Sequence, residues 1–168
     1  MRIKAKVLGL LTQDYFNDQV ADSSERLRSG IQELSETFDI DVENSLEKWS
    51  KDGYNFYKLK NIDHQQRYLP NQFLYYKKHK QKHSSGLQVQ SASKETIVLR
   101  SVHNFFQPKS SIWGIFAKNL EQNFALNLLM DPNIHLVSMV GAAGTGKTLL
   151  ALAAGLTQTL ETQKFSEI

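Results

Sequence analysis

Ile134-His135-Leu136-Val137-Ser138-Met139-Val140 runs into Gly141-Ala142-Ala143-Gly144-Thr145-Gly146-Lys147-Thr148, and that into Leu149-Leu150-Ala151-Leu152-Ala153-Ala154. The central eight residues fit G-x-x-x-x-G-K-[ST], the loop that cradles phosphates. The apolar run before it predicts a buried strand over 134–140, and the helix formers after it predict a helix over 147–157. Strand, glycine-rich loop and helix in that order predict an α/β fold: the start of a P-loop parallel sheet. Glycines 141, 144 and 146 permit dihedrals closed to other residues, so successive backbone N–H groups can converge on phosphate oxygens. The following helix adds its positive dipole end. Ala142, Ala143 and Thr145 complete the cradle. Lys147 is expected to reach the β- and γ-phosphates of ATP, and the Thr148 hydroxyl to ligate Mg²⁺.

The 168 residues suffice for one ordinary domain or two small ones. With 40% hydrophobic residues the composition is globular, and a net charge of +3 permits a polyanionic partner without demanding one. There is no cysteine, which excludes disulfides, thiolate catalysis and Cys-ligated zinc, and is compatible with the cytoplasm. No apolar stretch is long enough to span a bilayer, so no membrane partner is expected.

Working outward, Asn119 caps a helix carrying Leu120, Phe124 and Leu128 on one stripe, and Asp131-Pro132 stops it. Gln122 sits three residues after that cap, as in a capping box. Residues 70–104 change period: Gln72–Tyr76, Leu87–Gln90 and Thr96–Leu99 read as strands of a small antiparallel unit. Lys77 to Lys82 holds four lysines beside Tyr75 and Tyr76, a cationic loop suited to RNA phosphates or to plain solvation. Gly30–Leu34 reads as a short strand. Val42, Leu46 and Trp49 predict a helix over 41–50, and Asp52-Gly53 a turn. Residues 1–9 read as a short helix and 20–29 as loop.

Trp113-Gly114-Ile115, Asn119 to Leu126 and GAAGTGKTLLALAAG at 141–155 closely resemble the core of the PhoH family of P-loop ATPases. Leu69-Pro70-Asn71-Gln72-Phe73 resembles the linker of versions with an N-terminal PIN nuclease domain, and residues 1–20 resemble the end of that domain. The resemblance divides the chain into 1–20 (PIN remnant), 21–69 (linker with a short helix or strand), 70–104 (β unit) and 105–168 (the N-terminal part of the ATPase domain). It implies a cytoplasmic, homo-hexameric ATPase acting on RNA by unwinding or cleavage, with this chain cut at both ends and inactive alone. In helicase-like relatives a glutamine placed as Gln122 reads the adenine edge. A small-molecule kinase or other P-loop NTPase, and a non-catalytic fragment, are the alternatives.

Overall fold

The structure, a computed structural model, describes residues 30–34, 42, 45–60, 68–76 and 86–167. The expected helix at 1–9, the loop at 20–29, the cationic loop at 77–83 and most of 35–44 lie outside these residues.

Among the described residues six strands form one mixed sheet: β1 (Ile31–Leu34), β2 (Glu47–Lys51), β3 (Tyr54–Lys60), β4 (Phe73–Tyr76), β5 (Gly86–Ala92) and β6 (Thr96–Ser101). The order is β1-β4-β5-β6-β3-β2, with β1 parallel to β4 and every other pair antiparallel. The strands expected at 30–34, 72–76, 87–90 and 96–99 are present.

The helix expected over 41–50 is not formed at 47–50, which belong to β2. Cross-strand pairing outweighs the helical spacing of Val42, Leu46 and Trp49. Five residues of β2 pair with β3, and Trp49 stacks on its partner Phe56 with ring centroids 5.3 Å apart and planes within 6°. Asp52-Gly53 is the turn expected, with φ of 52° and 79°. Two successive left-handed residues give the backbone twist that a two-residue hairpin needs.

The central strands are covered on both faces, while β2 at the edge is exposed. On one face, Leu34, Leu59, Leu74, Val89, Ile97 and Leu99 cluster with Tyr68. On the other, α1 (Leu120–Leu129) lies against β4 and β5. Phe124 stacks on Phe73 at 4.3 Å, and a Cβ on Gly86 would stand 2.6 Å from the Phe124 ring. Glycine there lets the helix approach the strand. The helix is held by polar contacts too. Asn123 Oδ1 accepts from the Phe105 N–H at 2.8 Å, while Asn127 accepts from the His103 N–H at 2.8 Å and donates to its carbonyl at 2.9 Å. Two buried asparagines, one turn apart, thus bind the irregular chain that leaves β6. That chain and both helices close a second core: Phe105, Phe106, Ile112, Ala117, Leu126, Leu150 and Ala153.

Helix α2 (Lys147–Leu156) forms where the sequence predicts it. The strand expected at 134–140 does not. Those residues are irregular, with Leu136 84% and Val140 93% exposed. A strand needs a neighbour to take its N–H and C=O groups, and none of the described strands lies beside it. The apolar content that predicts burial is real; the partner that would realise it is not among the described residues.

Candidate functional site

The loop at 141–146 connects this irregular segment to α2. Gly141, Gly144 and Gly146 have φ of 157°, 79° and 86°. For Gly146 two constraints coincide: a left-handed backbone, and a Cβ that would come within 3.2 Å of Gln122 Nε2. Helical bonding in α2 starts with the Leu150 N–H donating to the Gly146 carbonyl at 3.0 Å. The N–H groups of the preceding first turn have no carbonyl of their own helix to reach, and they sit at the positive end of its dipole.

Lys147 is the first residue of α2, and its side chain folds back across the loop. Nζ donates to the Gly141 carbonyl at 2.8 Å, the Ala142 carbonyl at 2.6 Å and Thr145 Oγ1 at 3.1 Å. Thr145 Oγ1 donates in turn to the Ala142 carbonyl at 3.0 Å. One ammonium therefore fixes the loop's curvature and stands over its concave side. Thr148 follows on the exposed side of the first turn, and Ala142, Ala143 and Gly144 are exposed as well.

Gln122 joins this loop to α1. Asn119 caps the helix, its Oδ1 accepting from the Gln122 N–H at 2.9 Å. The Gln122 Oε1 accepts from the Lys118 N–H at 2.8 Å, and its Nε2 donates to the Thr145 carbonyl at 3.2 Å. The capping pattern is thus closed one residue earlier than a standard capping box, on Lys118 rather than Asn119. Both ends of the amide are engaged with backbone, and each keeps one further position, an Nε2 hydrogen and an Oε1 lone pair. The structure accordingly brings Gln122 and Gly141 to Thr148 together, from two helices and one loop.

A second polar site escaped the sequence reading. Arg100 on β6 pairs with Asp131, just past the end of α1, at 2.7 Å, with their side chains only 7% and 5% exposed. Arg100 also donates to Gln88 and lies over the Tyr54 ring, 4.4 Å from its centroid. Burial alone would raise the Asp131 carboxyl. The Asn133 N–H and then the Arg100 guanidinium outweigh it and hold the carboxyl below its ordinary range. No spacing signal links residues on a strand and a later turn, so this pair was not legible in the sequence. Among the described residues no three His, Asp or Glu side chains come together as a metal centre, and no helix is long and apolar enough to cross a membrane.

Residues 114–168 match the family described as PhoH-like protein. The chain is 38% identical over 159 residues to Protein PhoH2 of Bacillus subtilis, an alignment covering 95% of this chain and 33% of that protein. It is 49% identical over 57 residues to Protein PhoH2 of Thermobispora bispora, covering 34% of this chain and 13% of that one. Protein PhoH2 of Mycolicibacterium smegmatis is 48% identical over 50 residues, 30% of this chain and 11% of that protein. The chain therefore spans about a third of the Bacillus relative's length and less of the other two. No solved structure shows significant similarity. The matches support a PhoH family protein.

Proposed function

We propose that residues 141–148 hold the phosphates of ATP, and that the protein is a PhoH-like ATPase which couples hydrolysis to the unwinding or cleavage of RNA. The observation that carries this reading is the geometry of Lys147: an ammonium tethered over a loop whose glycines are left-handed, at the N-terminus of a helix. The residues fit a polyphosphate. First-turn N–H groups of α2 would donate to phosphate oxygens, the dipole favours negative charge, and Lys147, on exchanging its bonds to the loop for phosphate oxygens, would supply a full positive charge to the β- and γ-phosphates. The exposed Thr148 hydroxyl is the oxygen that would ligate Mg²⁺, which neutralises charge on the transferred phosphoryl group when bound. Gln122, by holding the Thr145 carbonyl, keeps the loop and α1 in register. A cytoplasmic homo-hexamer, with a PIN nuclease domain preceding these residues, completes the reading.

The test is Lys147→Ala in the full-length protein. Losing one preorganised charge at the developing negative charge is expected to lower hydrolysis by about 10²–10³-fold and to weaken ATP binding. An unchanged turnover rate and ATP affinity would show that the site is misassigned.

A further inference from the structure

The pattern G-x-x-x-x-G-K-[ST] leaves position 145 open to any residue, yet in this chain three hydrogen bonds meet there. The Thr145 hydroxyl accepts from Lys147 Nζ at 3.1 Å and donates to the Ala142 carbonyl at 3.0 Å, and the Thr145 carbonyl accepts from Gln122 Nε2 at 3.2 Å. Lys147 Nζ reaches the same Ala142 carbonyl at 2.6 Å. Ammonium, hydroxyl and carbonyl thus close a ring of hydrogen bonds. A hydroxyl has one hydrogen to give. With that hydrogen on Ala142, a lone pair faces Lys147. The oxygen is also held in place. Thr145 lies between Gly144 and Gly146, whose backbone is adaptable by itself, and the Gln122 amide ties it to α1. Its β-branched side chain is stiff at χ1. The other acceptors of Lys147, the Gly141 and Ala142 carbonyls, both stand on the N-terminal limb of the loop. Thr145 stands on the C-terminal limb, so with it the ammonium is held from both.

We propose that Thr145 is a positioning residue for Lys147: its hydroxyl holds the ammonium over the concave side of the loop and gives up its place to a phosphate oxygen when nucleotide binds. Of the three bonds from Nζ this one is the longest. Its acceptor is a neutral hydroxyl, and an ammonium bonds an anionic oxygen more strongly. It is therefore the bond a phosphate oxygen replaces first. The Thr145–Ala142 bond does not involve the lysine and survives the exchange, so the loop keeps its curvature. The gain is entropic. A lysine side chain is rich in rotamers, and one that is already ordered loses less freedom on binding. Once the phosphates are seated they fix the ammonium themselves, so Thr145 acts on binding and not on the chemical step.

This inference rests on the reading of residues 141–148 as an ATP site, and a double-mutant cycle in the full-length protein separates the two. Thr145→Val keeps the shape and the β-branch and removes the hydroxyl. Titration with ATP should show affinity weakened by about 2- to 12-fold, the worth of one hydrogen bond, with KM raised and kcat unchanged. Thr145→Ser should restore most of it. In a Lys147→Ala background the group that Thr145 positions is gone, so Thr145→Val should change ATP affinity by at most about twofold. Thr145 is exposed and outside both cores, so Thr145→Val should melt with the wild type when no nucleotide is added. If Thr145→Val weakens ATP by the same factor with and without Lys147, the hydroxyl shapes the loop instead of placing the lysine, and the proposal is overturned. A fall in kcat at constant KM, or a lower melting temperature without nucleotide, overturns it too. If Thr145→Val binds ATP as tightly as the wild type, the positioning role fails and the ATP site stands. If the wild type binds no ATP, both fail.

Discussion

Replacing Arg100 by Met, or Asp131 by Asn, removes half of an ion pair that water barely reaches. The pair is 2.7 Å long, with side chains 7% and 5% exposed. Breaking such a pair costs about 3–5 kcal/mol, because the remaining charge stays buried without its partner. Arg100→Met should lie at the lower end, since the Asp131 carboxylate keeps the Asn133 N–H at 3.0 Å and its side-chain amide at 3.1 Å. Against a domain stability of about 5–15 kcal/mol this is a large share. At about 2–4 °C per kcal/mol for a chain of this size, the melting temperature should fall by about 6–20 °C. Arg100→Met combined with Asp131→Leu should recover most of that loss, because no unpaired charge remains. The pH dependence has a definite sign. The folded Asp131 carboxyl ionises below its ordinary value of 3.8, so its contribution is present above that value and is lost as the pH falls through the lower, folded one. The stability difference between wild type and Asp131→Asn should therefore be largest near neutrality and shrink as the solution is taken below pH 3.8. Calorimetry or circular-dichroism melts from pH 7 down to the acid limit measure both effects. Single variants melting within about 2 °C of wild type, or a difference that does not narrow in acid, would refute the reasoning.

Gly86→Ala drives a methyl to within 2.6 Å of the Phe124 ring, already held against Phe73. Overpacking of this kind costs about 1–3 kcal/mol, read as a lower urea midpoint with an unchanged slope; a neutral result would mean that α1 sits farther from β5. Amide exchange in the 168-residue chain should be fast from 135 to 140 and slow in β5 and β6, since the former residues lie outside the ladder. Slow exchange at 135–140 would require a strand partner that the described residues do not supply. Neutralising Lys77, Lys78, Lys80 and Lys82 in the full-length protein should flatten the salt dependence of RNA binding by about one unit of slope per lost phosphate contact. An unaltered slope would leave these lysines as a solvated loop.

Local signals were read well where local chemistry decides. The phosphate loop is legible because glycine takes φ of 79° and 86°, as at positions 144 and 146, without the steric cost other residues bear. The start of α1 is legible because Asn119 caps it through its own third neighbour, Gln122. Asp52-Gly53 is legible for the same reason. Failures came where a distant partner decides. Trp49 shows helical spacing with Val42 and Leu46, but Phe56 across the hairpin claims it. Residues 134–140 carry the composition of a buried strand, yet composition does not supply a neighbour. β3 was not anticipated, because its alternation of Tyr54, Phe56 and Lys58 with Asn55, Tyr57 and Leu59 mixes aromatic and polar groups on both faces. The Arg100–Asp131 pair joins two elements that no periodicity relates.

The strand order also constrains how the chain finds its shape. The β2–β3 and β5–β6 hairpins are local and can zip within microseconds. A lone hairpin is at best marginal in water, and neither has a core until β3 lies beside β6. That pairing brings Asn55 to Ser101, 46 residues away in sequence, and the edge pairing of β1 with β4 brings Gln32 to Gln72, 40 residues away. Both closures spend chain entropy before apolar burial returns it. The joining of the two hairpins through β3 and β6 is then the slow event. Until it happens, Leu59, Val89, Ile97 and Leu99 face water together, and the nascent sheet is most exposed to chaperones and to proteolysis at that stage.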